Sequence, residues 1–238
     1  MRGFVVVALL GACSFNAPVP ASQEIDGSTQ GGGSDAKVFL DAKQYEDAKV
    51  YKDAPPVAGS LAVTATLVPD SDLDLSAEGT TDWAHWGYTS GTSFDDKAGG
   101  NKISDVAKAG VTQYQINNIT VSASWSGGTP DANASRTATG TGVTFPDALA
   151  FTVPAGTTSQ TLHVYCGGHG STGTMVVSLS DASAPDYTNN TFGSSNPYHV
   201  EFTIVYNAAA TDQTLSITWT DTGDMNGGFL MLMDATLE

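Results

Sequence analysis

The chain has 238 residues, 40% of them apolar, with 9 Lys and Arg against 25 Asp and Glu and a formal charge of −16. That length fits one domain with extensions, or two small domains. The acidity makes nucleic acid and anionic lipid head groups poor partners, and the abundance of Gly, Thr and Ser fits a turn-rich all-β chain. The first element is an address. Arg2 precedes an apolar run from Phe4 to Leu10, closed by the small residues Gly11 and Ala12. This is the layout of a secretory signal over residues 1–12. The run is too short to span a bilayer, which takes about 20 apolar residues.

Leu10-Gly11-Ala12-Cys13 resembles the lipobox of bacterial lipoproteins. In that family the cysteine thiol receives a diacylglycerol and the signal is cut just before it. The resemblance implies lipidation at Cys13 and a place in the bacterial cell envelope, lipid-anchored, facing the periplasm or the exterior. The alternative is an ordinary secretory signal with an incidental cysteine. With Cys13 lipidated, Cys166 is the only thiol left.

Residues 13–58 read as a lipidated N-terminus and spacer. Gly31-Gly32-Gly33-Ser34 is flexible in composition. A hexad repeat follows, with Asp35, Asp41, Asp47 and Asp53 in step and Phe39, Tyr45 and Tyr51 at its fifth position. A period of six does not match the helical 3.6, so no continuous apolar stripe forms. The tract is a charge-balanced spacer or a peptide that grips the cell wall through its aromatics.

Residues 59–238 read as one antiparallel β-sandwich, jelly-roll-like. Leu61 to Leu67 alternates, as does Asp72 to Ala77. Gln115 to Trp125 is one run, and Ala148 to Val153 lies between two prolines. Thr161 to Cys166 turns at Gly167 to Gly170 and returns as Thr174 to Ser180. Tyr198 to Tyr206 turns at Asn207 to Ala210 and returns as Thr214 to Thr220. Asp221 to Gly228 reads as a loop before a last apolar strand, and Lys102 to Gly110 hints at a helical turn. Evenly spaced short strands point to a sandwich or jelly roll.

Thr81 to Gly87 (TDWAHWG), Lys97 to Gly99 (KAG), Ile103-Ser104, Ser124 to Pro130, Thr152 to Tyr165, Leu179 to Tyr187 and Gln213 to Trp219 form a series. Its order resembles a β-sandwich module of secreted and surface bacterial proteins. That module carries no established catalytic residue and often sits beside carbohydrate-active or adhesive regions. Cys166 stands where the pattern has an apolar residue, which implies a buried thiol.

Strand alternation puts Trp86 and Tyr88 on one face and Trp83 and His85 on the other. Trp86, Tyr88 and Trp125 are the candidate ligand-binding residues, stacking on sugar rings, with Trp83 inside; a plain core role is the alternative. His163, Cys166 and His169 imitate metal spacing, but alternation points His163 and Cys166 apart. Asp70, Asp72 and Asp74 share a face, and a structural Ca²⁺ held by loops is the one cofactor the composition leaves open. No nucleophile, zinc or phosphate-loop motif appears. The reading is a surface-anchored, non-catalytic binding lipoprotein, with glycan as ligand. The alternative is an adhesive module for a surface protein, and a hydrolase ranks last.

Overall fold

The computed structural model describes residues 58–107 and 110–238. The signal segment, Cys13 and the hexads lie outside the described residues. In chain order come β1 (Ser60–Leu67), β2 (Ser71–Asp74), a single helical turn α1 (Leu75–Glu78), β3 (Asp82–Trp86), β4 (Phe94–Lys97), β5 (Tyr114–Asn117), β6 (Val121–Ser126) and β7 (Gly128–Thr129). Then follow β8 (Asn133–Thr137), β9 (Thr139–Val143), β10 (Ala148–Ala155), β11 (Gln160–Leu179), β12 (Tyr187–Ser194), β13 (Tyr198–Asn207) and β14 (Gln213–Leu237).

The centre of the fold is the antiparallel pair β11 and β14. At 20 and 25 residues they exceed the usual strand of about 3–10 residues, because each serves two layers. Their register shifts between Tyr165 and Cys166, between His169 and Ser171, and between Thr172 and Gly173. Such bulges bend a strand and increase its twist. The first half of β11 lies beside β13, and β13 beside β1. Its second half lies beside β12, while the first half of β14 lies beside β10. The last part of β14 takes β9 and β3 along one edge, and β4 and β7 continue from β3.

Leu162, Val164 and Cys166 from one half of β11 and Met175 and Val177 from the other are buried in one cluster. The bent sheet therefore closes on itself as two packed layers, an all-β and mostly antiparallel sandwich. The corner needs backbone contact. A Cβ on Gly228 would overlap the Gly170 backbone, and Gly170 sits at φ +59, a conformation glycine adopts freely.

Both anticipated hairpins are absent. Gly167 to Gly170 is a bend inside β11, and Asp221 to Gly228 a bend inside β14. Asn207 to Ala210 joins β13 in one layer to β14 in the other. Asp72 to Ala77 is not one strand, because Asp74 caps α1 by accepting from the Ser76 and Ala77 amides at 3.1 Å each. Residues 102–107 form no helical turn; they lie along β10, with Ser104 N and Ala107 N donating to Thr152 O and Ala150 O. Asn118, at φ 61, breaks the run from Gln115 to Trp125.

A second small sheet, ordered β2–β6–β8, lies against the other face of the large one. Val121 and Leu73 pack there with Tyr165, Met231 and Met233. Leu230 and Leu232 face the main core instead. This explains the lack of polar alternation in the last strand, which is covered on both faces.

Candidate functional site

β3 is buried along its whole length. Trp83 is 0% exposed and Trp86 1%. Trp86 packs on Phe94 and Phe151, with ring centroids 5.8 and 5.0 Å away. Trp83 packs on Trp125 at 5.7 Å. Gly87, at φ +86, ends the alternation, and Tyr88 meets Trp125 at 5.2 Å instead of sharing a face with Trp86. Trp125 is 3% exposed, and its Nε1 donates to the Asp131 carbonyl at 3.0 Å. The anticipated exposed platform of Trp86, Tyr88 and Trp125 is therefore not formed. Layers cover both faces of β3, which a strand-alternation argument with one wet face does not foresee.

His85 lies on the Trp83 side. Its Nδ1 is 2.7 Å from Asp234 Oδ1 and its Nε2 3.1 Å from Thr139 Oγ1. Carboxylate, imidazole and hydroxyl stand in the order of a nucleophile relay. The ring is fully buried, however, and Trp125 covers it at 4.9 Å. The trio fastens β3 to β14 and β9. Beside it, Asp82 accepts from the Trp83, Lys102 and Ile103 amides at 2.9, 2.7 and 3.0 Å. Burial pushes the Asp95 carboxyl above the usual carboxylate range, against a hydrogen bond from the Asp131 amide.

His163 and Cys166 point apart. Cys166 is fully buried, and burial pushes its thiol pKa up. His163 Nδ1 meets Glu201 Oε1 at 2.7 Å and stands 4.0 Å from Glu78 Oε1. Glu78 also accepts from the Tyr165 hydroxyl at 2.6 Å and from Thr236 at 2.8 Å. No motif pairs the two glutamates; the sheet does, by bringing α1, β11 and β13 together. Asp70, Asp72 and Asp74 do not converge. Asp74 is the helix cap, and Asp72 pairs with Arg136 Nη1 at 3.0 Å and accepts from the Ser122 hydroxyl. Among the described residues, no group of three or more His, Cys, Asp or Glu is placed to hold a metal ion.

The concave feature with convergent polar groups lies where the small sheet meets the corner of β11 and β14. Bending those strands sets His169 opposite Phe229 in register. The rings stand 5.8 Å apart, tilted by 38°, with His169 exposed. They line a depression of about 280 Å³ together with Asn117, Asn118, Thr120 and the buried Met231. Thr120, Pro197 and His199 also line a second depression of about 370 Å³. Thr120 and Asp70 carry it into a third of about 370 Å³, bounded by Ser71, Asp72 and Arg136. The three adjoin through these shared residues, each open to solvent, and together they are the trough.

The trough contains groups that the fold leaves unsatisfied. His199 is 7% exposed, and its Nε2 is buried without a hydrogen-bond partner; Ser71 Oγ is the same. Burial pushes the His199 imidazole below its usual range, with the Asp70 carboxylate opposing. None of these residues stood out in the sequence as a glycan contact; His169, Asp70 and Asp72 entered there only as possible metal ligands. Their signal in the sequence was faint: His169 follows a Gly-Gly pair, and His199 opens a strand.

No family model and no curated protein matches the chain. Among solved structures, TmCBM61 in complex with beta-1,4-galactotriose is similar at 14% identity, over 58% of this chain and 86% of that one, with a TM-score of 0.32. A family 16 carbohydrate-binding module is similar at 12% identity, over 56% of this chain and 89% of its own, with a TM-score of 0.34. A likeness this slight carries neither ligand nor binding residue over to this chain.

Proposed function

We propose that the sandwich is a non-catalytic binding module for an uncharged glycan, held at the bacterial envelope by lipid on Cys13. The observation that carries the ligand class is the trough, with the exposed His169 ring beside a half-buried Phe229 and a buried, unpartnered His199 nitrogen nearby. An amphipathic wall next to unsatisfied hydrogen-bonding groups suits a sugar ring, which has apolar faces and a hydroxyl rim. A charge of −16 disfavours uronate-rich or sulfated chains. The anchor rests on the Leu10 to Cys13 motif alone.

The test is binding of the purified full chain to an array of neutral and acidic glycans, repeated with His169→Ala. His169 is exposed, so this variant keeps the fold. The expected result is binding to neutral glycans that His169→Ala weakens about ten-fold, or about 1.4 kcal/mol. Binding confined to acidic glycans, or binding that His169→Ala leaves unchanged, overturns the reading.

A further inference from the structure

The trough is longer than one sugar-sized depression, and its far end is shaped by the backbone. β8 pairs with β6 through a register shift between Ala123 and Trp125. Ser135 and Arg136 together oppose Ser124 there, and Arg136 sits at φ 50, a left-handed conformation that a side chain adopts at some cost. Its amide is held by the Ser124 hydroxyl at 2.9 Å. The bulge aims the guanidinium across the small sheet at Asp72, and the pair closes the third depression. The near end carries a second left-handed residue, Asn118, at φ 61. Bulges and non-glycine residues in this region gather where a side chain must be re-aimed for function.

Two observations set the length of the ligand. The first depression, at about 280 Å³, falls below the ~300–1,000 Å³ usual for a small-ligand pocket. Each depression shares lining residues with the next, Thr120, Pro197 and His199 at one joint and Thr120 and Asp70 at the other. Each of the three is open to solvent.

We infer that the trough takes an internal stretch of a linear, uncharged oligosaccharide. It runs from the His169–Phe229 wall, past His199, to the Asp72–Arg136 pair, which hydrogen-bonds a distal sugar. This inference rests on the glycan reading above and adds the length of the ligand and the role of Arg136. The pair presents donors and acceptors together, so it addresses hydroxyls without requiring a charged sugar.

The experiment is calorimetric titration of the full chain with cello-, xylo- and manno-oligosaccharides of one to six units, alongside the His169→Ala and Arg136→Ala variants. Arg136 has an exposed side chain, and alanine keeps its Cβ, so the bulge is unchanged. In the series that binds, affinity is expected to climb steeply with length up to a plateau beyond the disaccharide. Arg136→Ala should weaken the longer members about ten-fold and leave the shortest unaffected, whereas His169→Ala weakens them all. If a monosaccharide binds as tightly as the hexamer, or Arg136→Ala changes nothing, the extended site is wrong while the glycan reading stands. If no series and no array glycan binds, both fall.

Discussion

Replacing Trp86 by alanine separates a core role from a ligand-stacking role. The indole is 1% exposed and packed between Phe94 and Phe151 in the main core. A tryptophan buries about 150–250 Å², which at about 25 cal/mol per Å² corresponds to roughly 4–6 kcal/mol. Measured truncations of large aromatics cost about 3–5 kcal/mol. Its Nε1 has no hydrogen-bond partner, so no hydrogen bond is lost and the lower part of that range applies. For a domain of this size each kcal/mol moves the melting temperature by about 2–4 °C. Trp86→Ala should therefore melt about 6–15 °C below the parent in near-ultraviolet circular dichroism of the full chain. Trp83→Ala should fall by a similar amount, since Trp83 is equally buried. Below its melting point Trp86→Ala should bind glycan as the parent does. An unchanged melt with binding abolished would refute the placement of Trp86 in the core.

Asp95→Asn should stabilise the domain at pH 7, because burial disfavours the charged carboxylate and asparagine carries no charge. The raised carboxyl keeps its proton in the fold where the unfolded chain has lost it, so Asp95 favours folding below the ordinary carboxylate range and loses that contribution as pH rises through its folded pKa. Melts at pH 7 and pH 3.5 should accordingly show the gain only at pH 7; an equal gain at both would contradict this. Cys166, fully buried, should react with an aromatic disulfide reagent only on unfolding, and rapid labelling of the native chain would put it elsewhere. Cys13→Ser should abolish incorporation of labelled fatty acid, and equal incorporation would remove the anchor.

The layer class was legible because period-2 alternation in Leu61 to Leu67 and Ala148 to Val153 is imposed by strands that bury one face. The topology was not. Gly-Gly-His-Gly reads the same in a hairpin turn as in the bend of a 20-residue strand, and only pairing partners separate the two. Cys166 was placed correctly because its neighbours Leu162 and Val164 share its face. Trp86 was misjudged because alternation identifies two faces without saying that both are covered. The trough draws on β2, β5, β11, β13, β14 and the β8 bulge, which are far apart in sequence. Its polar residues are Asn, Thr, Ser, His, Asp and Arg, with no motif spacing to join them.

Amide chemical-shift mapping of the full chain, titrated with the tightest-binding neutral oligosaccharide, tests the central claim most directly. The largest shifts are expected at Asn117, Asn118, Thr120, His169 and His199, reaching Ser71 and Arg136 as the oligosaccharide lengthens. Shifts centred instead on Tyr88 and Trp125, with the trough amides unmoved, would contradict it.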